Sequence, residues 1–185
     1  TSAQGMNLLF LELDGKLLVD NGVTPPNVPS LAVTGASVGT KQGFSIIKYN
    51  HNQNSAQTLS HGLTQTPQFI MDKRFKSGTT TNWDVYHASA PNAETGRLIL
   101  NSTAGYSDED GPWNDTAPTS SVFTVGPNSW KGDGDHIVYL WHDVPGLQKF
   151  GSYYGNNDSD GTYVELGFRP AVIIIKTTSG GSWVI

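Results

Sequence analysis

The sequence has no cysteine, few charged residues and no long hydrophobic run. The absence of cysteine excludes a disulfide scaffold, a cysteine nucleophile and thiolate metal sites. Charged residues make up 15% of the 185 and the formal net charge is −5, which provides no basic surface for nucleic acid or an anionic membrane. Apolar runs such as 171–175 are too short for a membrane span or a signal peptide. We therefore expect no nucleic-acid partner and no membrane insertion.

Residues that favour strands and turns dominate the composition. The chain contains 21 Gly, 18 Thr, 17 Ser and 13 Asn, against 4 Glu and 8 Lys. No window of about a dozen residues shows the 3.6-residue apolar period of an amphipathic helix. The sequence therefore predicts an all-β protein, organised as an antiparallel β-sandwich-like domain.

The first 43 residues carry two local signals. Asp14-Gly15 lies between two apolar-rich runs, which is typical of a type I′ hairpin turn. We therefore expect a β-hairpin within residues 1–20, which packs either on strands upstream of Thr1 or on the domain that follows; the resemblance described below favours the first and makes it the terminal hairpin of a preceding sandwich. Residues 21–43 contain three prolines and many small residues, which indicates a linker. The main domain, 44–185, is then expected to begin at Phe44.

An internal duplication organises the main domain. Six landmarks recur in the same order, at offsets between 100 and 105 residues. The matched pairs are Tyr49 and Tyr153, Asn52 and Asn156, Gly62 and Gly167, Pro67 and Pro170, Lys73 and Lys176, and Trp83 and Trp183. The pattern defines copy one, residues 44–148, and copy two, residues 149–185. Each copy is predicted to contain a strand, an Asn-rich turn, a second strand, a glycine-proline corner and a buried strand that ends in lysine.

Copy one continues beyond this shared pattern. Further strands are predicted at 84–87, 97–100, 122–125 and 136–142. Copy two has no counterpart of them, so we expect the chain to be a fragment of a longer polypeptide whose last strands leave an open sheet edge.

A long aperiodic segment, residues 101–121, carries the candidate ligand-binding residues. Tyr106, Trp113, Asn114 and Asp115 combine aromatic rings with amide and carboxylate groups, the chemistry with which proteins stack on and hydrogen-bond to sugars. The alternative is that Trp113 plugs the edge of a sheet while the two residues after it form an Asx turn. The sequence leaves both interpretations open.

One loop resembles the beginning of a calcium-binding loop. Asn156, Asp158 and Asp160 offer side-chain oxygens at the spacing of such a loop, followed by Gly161. Gly167 stands where a bidentate glutamate is needed, and the same residue types also favour a hairpin turn. We therefore expect a turn, and predict no metal site and no cofactor.

Enzyme motifs are absent from the sequence. A polysaccharide depolymerase would need a pair of carboxylates, and its candidates are Asp108, Glu109, Asp110, Asp133 and Asp135. These acids lie in glycine-rich bends, where solvated carboxylates are ordinary. The five histidines, His51, His61, His87, His136 and His142, form no metal-binding pair. We therefore predict no catalytic residue and a non-enzymatic protein.

Several segments resemble a known family. The run WNDTAPTSSVF at 113–123, the pattern GFSII at 43–47, the corner at 61–67 and the segment from Phe150 to Pro170 are similar to a domain of unknown function. That domain recurs in tail-fibre and other virion appendage proteins of marine bacteriophages, cyanophages included. Residues 7–29 resemble the last hairpin of a concanavalin-like or laminin-G-like sandwich that often precedes it.

The resemblance implies a structural component of a phage virion, in a tail fibre or appendage involved in host attachment. It implies a location in the extracellular particle, other virion proteins as partners, a homotrimeric assembly and a host surface glycan as a further partner. It supplies no catalytic residues. A carbohydrate-binding module and a depolymerase are the alternative functions.

Overall fold

The fold is all-β. The computed structural model describes residues 12–13, 16–17, 29–52, 54–75, 81–127 and 131–185. The strands in this part of the chain are β1 (Glu12–Leu13), β2 (Lys16–Leu17), β3 (Val33–Gly39), β4 (Phe44–His51), β5 (Gln57–Ser60), β6 (Phe69–Arg74), β7 (Trp83–His87), β8 (Gly96–Ile99), β9 (Ser107–Asp108), β10 (Val122–Val125) and β11 (Gly134–Trp141). A single turn of 3-10 helix, Ala93–Thr95, precedes β8. No helix in these ranges is long and apolar enough to cross a membrane.

Seven strands form the main sheet, in the order β3-β4-β11-β6-β7-β8-β9, and every neighbouring pair is antiparallel. The last long strand, β11, inserts between β4 and β6, so that Val138 lies opposite Ile47 on one side and Asp72 on the other. A second sheet consists of β5 and β10. The predicted antiparallel, sandwich-like fold class is confirmed, as are the strands expected near 84–87, 97–100, 122–125 and 136–142.

The core lies between the main sheet and the β5–β10 pair. Alternate residues of the central strands, such as Ile47, Ile70 and Val138, are almost completely buried and belong to the same cluster as Leu59 and Phe123 from the pair. This alternation is the period of a strand with one face against a core. Each fully buried large apolar side chain contributes roughly 1.5–3 kcal/mol relative to exposure, so this cluster is the main source of stability.

The opposite face of the main sheet carries a row of aromatic rings. Phe44 stacks on Trp141 with centroids 4.8 Å apart, and Phe69 contacts Trp141 at 5.6 Å. Phe150, which follows β11, stacks on Phe69 at 5.6 Å and 10°. Cross-strand aromatic pairs of this kind stabilise neighbouring strands by about 0.2–1 kcal/mol each.

The predicted linker is wrong for residues 33–39, because they form the edge strand β3 and pair with β4. The stretch of small residues gave no strand signal, since β3 is held through backbone hydrogen bonds while most of its side chains stay exposed or half-buried. Leu31 and Val33 also pack against the core. Residues 1–11, 14–15 and 18–28 of the predicted hairpin and linker lie outside the described residues, and the short strands β1 and β2 between them pair antiparallel.

Copy two departs from its prediction. Residues 150–174 contain no strand, and Val172, Ile173 and Ile174 are 65%, 54% and 54% exposed, so the expected buried strand is wrong in this structure. The matching strand β6 is buried because β11 and β7 pair with its two edges. Within the described residues, the strand-like pairing of 171–175 is limited to one isolated bridge, between Ile175 and Val184.

A local likeness between the two copies is present around that bridge. Ile175 and Val184 stand at the positions of Asp72 and Asp84, which are paired between β6 and β7. In both segments the next residue is a lysine that lies over a tryptophan ring. The Nζ atom of Lys73 is 5.9 Å from the centroid of the Trp83 ring, and that of Lys176 is 5.8 Å from the centroid of the Trp183 ring. The two segments therefore share the start of a hairpin.

Candidate functional site

A group of ionisable residues is buried at one end of the core-facing side of the main sheet. Tyr49 from β4, Asp72 from β6, Asp84 from β7 and His136 from β11 surround Lys131, whose amide donates to the Pro127 carbonyl ahead of β11. We call these five residues the charged cluster. They meet because β4, β11, β6 and β7 are consecutive in the sheet. His136 lies directly opposite Tyr49, and Asp72 lies opposite Asp84.

Asp72 is the centre of the cluster. Its Oδ2 accepts a hydrogen bond from Tyr49 Oη at 2.9 Å and lies 2.8 Å from Lys131 Nζ. Its Oδ1 lies 3.1 Å from His136 Nδ1, while Nε2 of the same ring faces the Gly132 carbonyl at 3.1 Å. Both nitrogens of His136 therefore face oxygen atoms, one from a side chain and one from the backbone.

A chain of ion pairs continues from the cluster towards the surface. Lys131 Nζ donates to Asp84 Oδ2 at 3.0 Å, and Asp84 Oδ1 lies 2.6 Å from Arg97. Arg97 then pairs with Glu109 at 2.9 Å. Removing one charge from such a chain leaves the next one buried without compensation, so its members depend on one another.

The two charged groups at the centre of the cluster are almost completely buried. The side chains of Lys131 and Asp72 are each 1% exposed. The ring of Trp113 covers the lysine, with Nζ 4.2 Å from the ring centroid. Burial of a lysine costs several kcal/mol unless it is paired, and here two carboxylates and an aromatic face compensate for the lost water.

These contacts fix the charge states. Burial opposes ionisation of Asp72, but the Lys131 ammonium and the His136 hydrogen bond outweigh it and hold the pKa of Asp72 well below its usual range. Burial likewise opposes the charge of Lys131, yet Asp72 and Asp84 raise the pKa of the ammonium. Burial and the Asp72 charge raise the pKa of Tyr49 well above its usual value. Near neutral pH the cluster therefore holds an anion, a cation and a neutral phenol.

A cavity of about 260 Å³ borders the cluster, and its lining includes Asp72, Asp84, Lys131, Arg74 and Arg97. Groups of both charges line it, which suits water or a small polar molecule rather than an apolar ligand. General acid–base catalysis works best with a group that titrates near the working pH. Asp72, Lys131 and Tyr49 are all shifted away from that range, so their arrangement favours a fixed ionic lock.

Trp113 does not form the predicted sugar platform. Its side chain is 2% exposed and packs edge-on against Tyr86 at 5.9 Å, so no face of the ring is available for stacking. The structure thus corresponds to the alternative in which this tryptophan is a plug. Its burial follows from Lys131, whose ammonium occupies one face of the ring.

The other three predicted ligand residues have local roles. The Tyr106 hydroxyl donates to the Asn92 carbonyl at 2.8 Å. Asn114 and Asp115 have φ values of 52° and 47°, in the left-handed region that asparagine and aspartate tolerate in turns. Both are exposed. Desolvation and the carboxylates of Asp110, Asp108 and Glu94 raise the pKa of Asp115.

Three of the five acids considered for a depolymerase contact separate partners. Glu109 pairs with Arg97, Asp133 pairs with Arg74 at 3.3 Å, and Asp135 accepts a hydrogen bond from Asn50 at 2.8 Å. The pairing seen in a glycosidase requires two carboxylates that face one substrate. The contacts of these acids give no such pair.

The loop 156–161 is an exposed turn. Asn156 Oδ1 accepts from the Asp158 amide at 3.2 Å, and Asp158 Oδ1 accepts from the Asp160 amide at 3.0 Å. The side-chain oxygens therefore stabilise the turn itself, as the Asx-turn interpretation predicts. Among the residues that the structure describes, no three His, Asp or Glu side chains are grouped as metal ligands.

Sequence reasoning missed most of the charged cluster. A usable signal was present, because Asp72 interrupts the apolar strand Phe69–Met71 at a position where alternation predicts a core-facing side chain. A carboxylate there requires a buried partner. The identity of that partner, Lys131, depends on the insertion of β11 and is not visible in local sequence.

Comparison with known proteins gives a family. A family model described as a domain of unknown function, DUF7483, matches residues 20–185. The chain belongs to this family. The DUF7483 match includes β3 and residues 44–185, so it treats residues 21–43 and the main domain as one unit. No curated protein and no solved structure matches the chain.

Proposed function

We propose that this DUF7483 domain is a non-enzymatic structural component of a phage virion, in a tail fibre or another appendage that contacts the host. The observation that carries the structural role is the closed charged cluster. Its Asp72 and Lys131 neutralise one another inside the protein, as an ionic lock between strands does. The virion assignment rests on the sequence run at 113–123 and its neighbouring motifs.

The surface of the last segment supports a role in assembly. Tyr153, Val172, Ile173 and Ile174 are all between 48% and 65% exposed within residues 149–185. Exposed apolar groups of this kind mark surfaces that contact other polypeptides. Other virion proteins and further copies of the same chain, as in a homotrimer, are the partners proposed for them.

Purified particles test this proposal. Phage from the native source is banded in a density gradient, and an antibody against residues 43–185 is used to probe the particle fraction and the supernatant. We expect the antigen to band with the particles and the antibody to reduce their adsorption to host cells. Recovery of the antigen in the supernatant alone would contradict the proposal. Antibody depleted on the recombinant domain is the control.

Binding of a host glycan is a second candidate, and it now rests on different residues. Tyr154 and Tyr163 are 94% and 82% exposed at the base of the 156–161 turn, where the Thr162 hydroxyl donates to the Tyr154 carbonyl at 2.6 Å. Exposed rings beside amides and carboxylates suit sugar stacking. Binding of host polysaccharide that is lost in Tyr154→Ala and kept in Trp113→Phe would support it, and equal binding by all three proteins would exclude this site.

A further inference from the structure

We infer that the side chains of Lys131 and Asp72 condense into an intramolecular amide, which cross-links the turn before β11 to strand β6. This modification site is independent of the virion assignment. Four features of the charged cluster support it: the contact between the two reacting groups, their near-complete burial, a proton acceptor, and donors that stabilise the reacting carboxyl group.

The first two features are the contact between Lys131 and Asp72 and the burial of both side chains. Lys131 Nζ lies 2.8 Å from Asp72 Oδ2, and both side chains are 1% exposed. Groups held in reacting positions inside a protein behave as if their effective concentration were about 10⁵–10⁸ M. In bulk water an amine and a carboxylate do not condense, because both are ionised and water is in large excess. At the buried pair, water is limited to what the adjoining cavity of about 260 Å³ can hold.

The reaction is balanced without any further reactant. An ammonium and a carboxylate contain the atoms and the net charge of one amide and one water molecule. Lys131 first transfers a proton to Asp72 Oδ2, and the neutral amine then attacks Cγ to form the N–C bond. Asp84 Oδ2, 3.0 Å from Nζ, accepts the second proton and returns it to the departing oxygen, so that the Cγ–Oδ2 bond breaks and water leaves. No oxidation or reduction takes place.

The remaining contacts assign a role to each carboxylate. His136 Nδ1 lies 3.1 Å from Asp72 Oδ1, the oxygen that carries negative charge in the tetrahedral intermediate and becomes the amide oxygen. The Tyr49 hydroxyl donates to Oδ2, the oxygen that leaves. Asp84 is instead held by Arg97 at 2.6 Å, and its Oδ2 faces Lys131 Nζ at 3.0 Å, which assigns it the role of the proton acceptor.

The resting pair is ionic, which makes the reaction slow. The neutral amine is a minor state, because Asp72 and Asp84 stabilise the ammonium. We therefore expect the cross-link to accumulate after folding rather than during synthesis. Once formed, it closes a loop from residue 72 to residue 131, and loop closure of this kind stabilises a fold by restricting the unfolded chain.

Intact-mass spectrometry of the folded chain under denaturing conditions tests the inference. We expect the mass to fall with time below the sequence mass by one water molecule. A tryptic digest should then contain a branched peptide that joins Lys131 to Asp72. Trypsin cannot cleave this peptide after Lys131, because the lysine is modified. A folded protein that keeps its full sequence mass would overturn the inference.

Variants separate the cross-link from other dehydration products. A succinimide at Asp72 has the same mass but yields no branched peptide, so that outcome would also overturn the inference. Lys131→Arg keeps the cation but cannot condense, and it should retain the full mass. Lys73→Arg, at a lysine that contacts a carbonyl instead of a carboxylate, should still lose water. In Asp72→Asn the same bond releases ammonia, and in Asp84→Asn the reaction should slow at least tenfold.

The digest also checks the assigned roles. A branched peptide that joins Lys131 to Asp84 would contradict the choice of Asp72 as the reacting carboxylate. Circular dichroism of each variant shows that it is folded. The wild-type mass decides the inference even if one variant fails to fold.

Discussion

The ammonium of Lys131 lies 4.2 Å from the centroid of the Trp113 ring. This contact joins the most distinctive run of the sequence, 113–123, to the charged cluster that sequence reasoning missed. It explains why the tryptophan is buried, since its ring closes the site in which the lysine meets Asp72 and Asp84. Trp113 is therefore a core residue, whereas Asn114 and Asp115, which follow it, are exposed.

Truncation of the tryptophan tests that conclusion. Trp113→Ala should lower the free energy of unfolding by about 3–5 kcal/mol, because it leaves a cavity and exposes the buried lysine. Urea unfolding followed by circular dichroism measures the change. Asn114→Gly, at an exposed left-handed turn position, is the control and should change stability by less than about 0.5 kcal/mol. An equal effect of the two variants would show that Trp113 is not a core residue.

Removal of the central cation should be equally damaging. Lys131→Met leaves two carboxylates without their buried partner and should cost about 3–5 kcal/mol. Lys41→Met, at an exposed turn, is the matched control. The double variant Lys131→Met with Asp72→Asn should lose less than the sum of the single losses, because the second change removes an uncompensated charge. Additive losses in urea unfolding would contradict the coupling.

Stability should fall in mild acid. Burial lowers the pKa of His51, His61 and His87, so the folded protein binds fewer protons than the unfolded chain. The stability that these groups contribute is present above the unfolded pKa of about 6.5 and is lost as the pH falls through it. The melting temperature should therefore drop between about pH 7.5 and pH 5. His87→Gln should flatten the curve, whereas a melting temperature that rises in acid would contradict the account.

In protein that has not yet formed the amide between Lys131 and Asp72, a second loss should follow at lower pH. The pKa of Asp72 lies well below that of an unfolded aspartate, so its contribution persists above the unfolded value of about 3.9 and disappears as the pH falls towards the folded value. Calorimetry below about pH 4 measures this step. Its absence in Asp72→Asn would assign it to the charged cluster, and an unchanged step in that variant would refute the assignment.

The exposed apolar side chains of residues 149–185 lead to a prediction about assembly. Light scattering of the full-length protein that contains this chain should give the mass of a trimer, since association covers side chains such as Ile174. Ile174→Asp should weaken the assembly, whereas Ser152→Asp, at an exposed polar position of the same segment, should not. A monomeric mass for the wild type would contradict the trimer.

Much of the fold could be predicted from local sequence. Alternation and turn residues located β4 at Phe44, β10 at Val122–Val125 and most of β11, and composition gave the all-β class. The edge strand β3 was missed because its small residues pair through the backbone, which leaves no side-chain pattern. The buried strand expected in copy two was wrong because burial requires neighbouring strands, and side-chain pattern alone does not supply them.

The candidate site could not be predicted in the same way. Tyr49, Asp72 and His136 each appear in an alternating strand, and none is unusual there by itself. They meet only because β11 inserts between two strands that are far from it in sequence. Asp72 alone gave a usable signal of a buried ionic site, since a carboxylate in a core-facing position needs a partner.

Immunogold electron microscopy of the native source material tests the central proposal most directly. The antibody is raised against residues 43–185, and serum depleted on the recombinant domain is the control. Gold on the thin appendages of virus particles is the result that a structural virion domain predicts. Gold confined to cell surfaces or soluble material, with unlabelled particles in the same field, would contradict it.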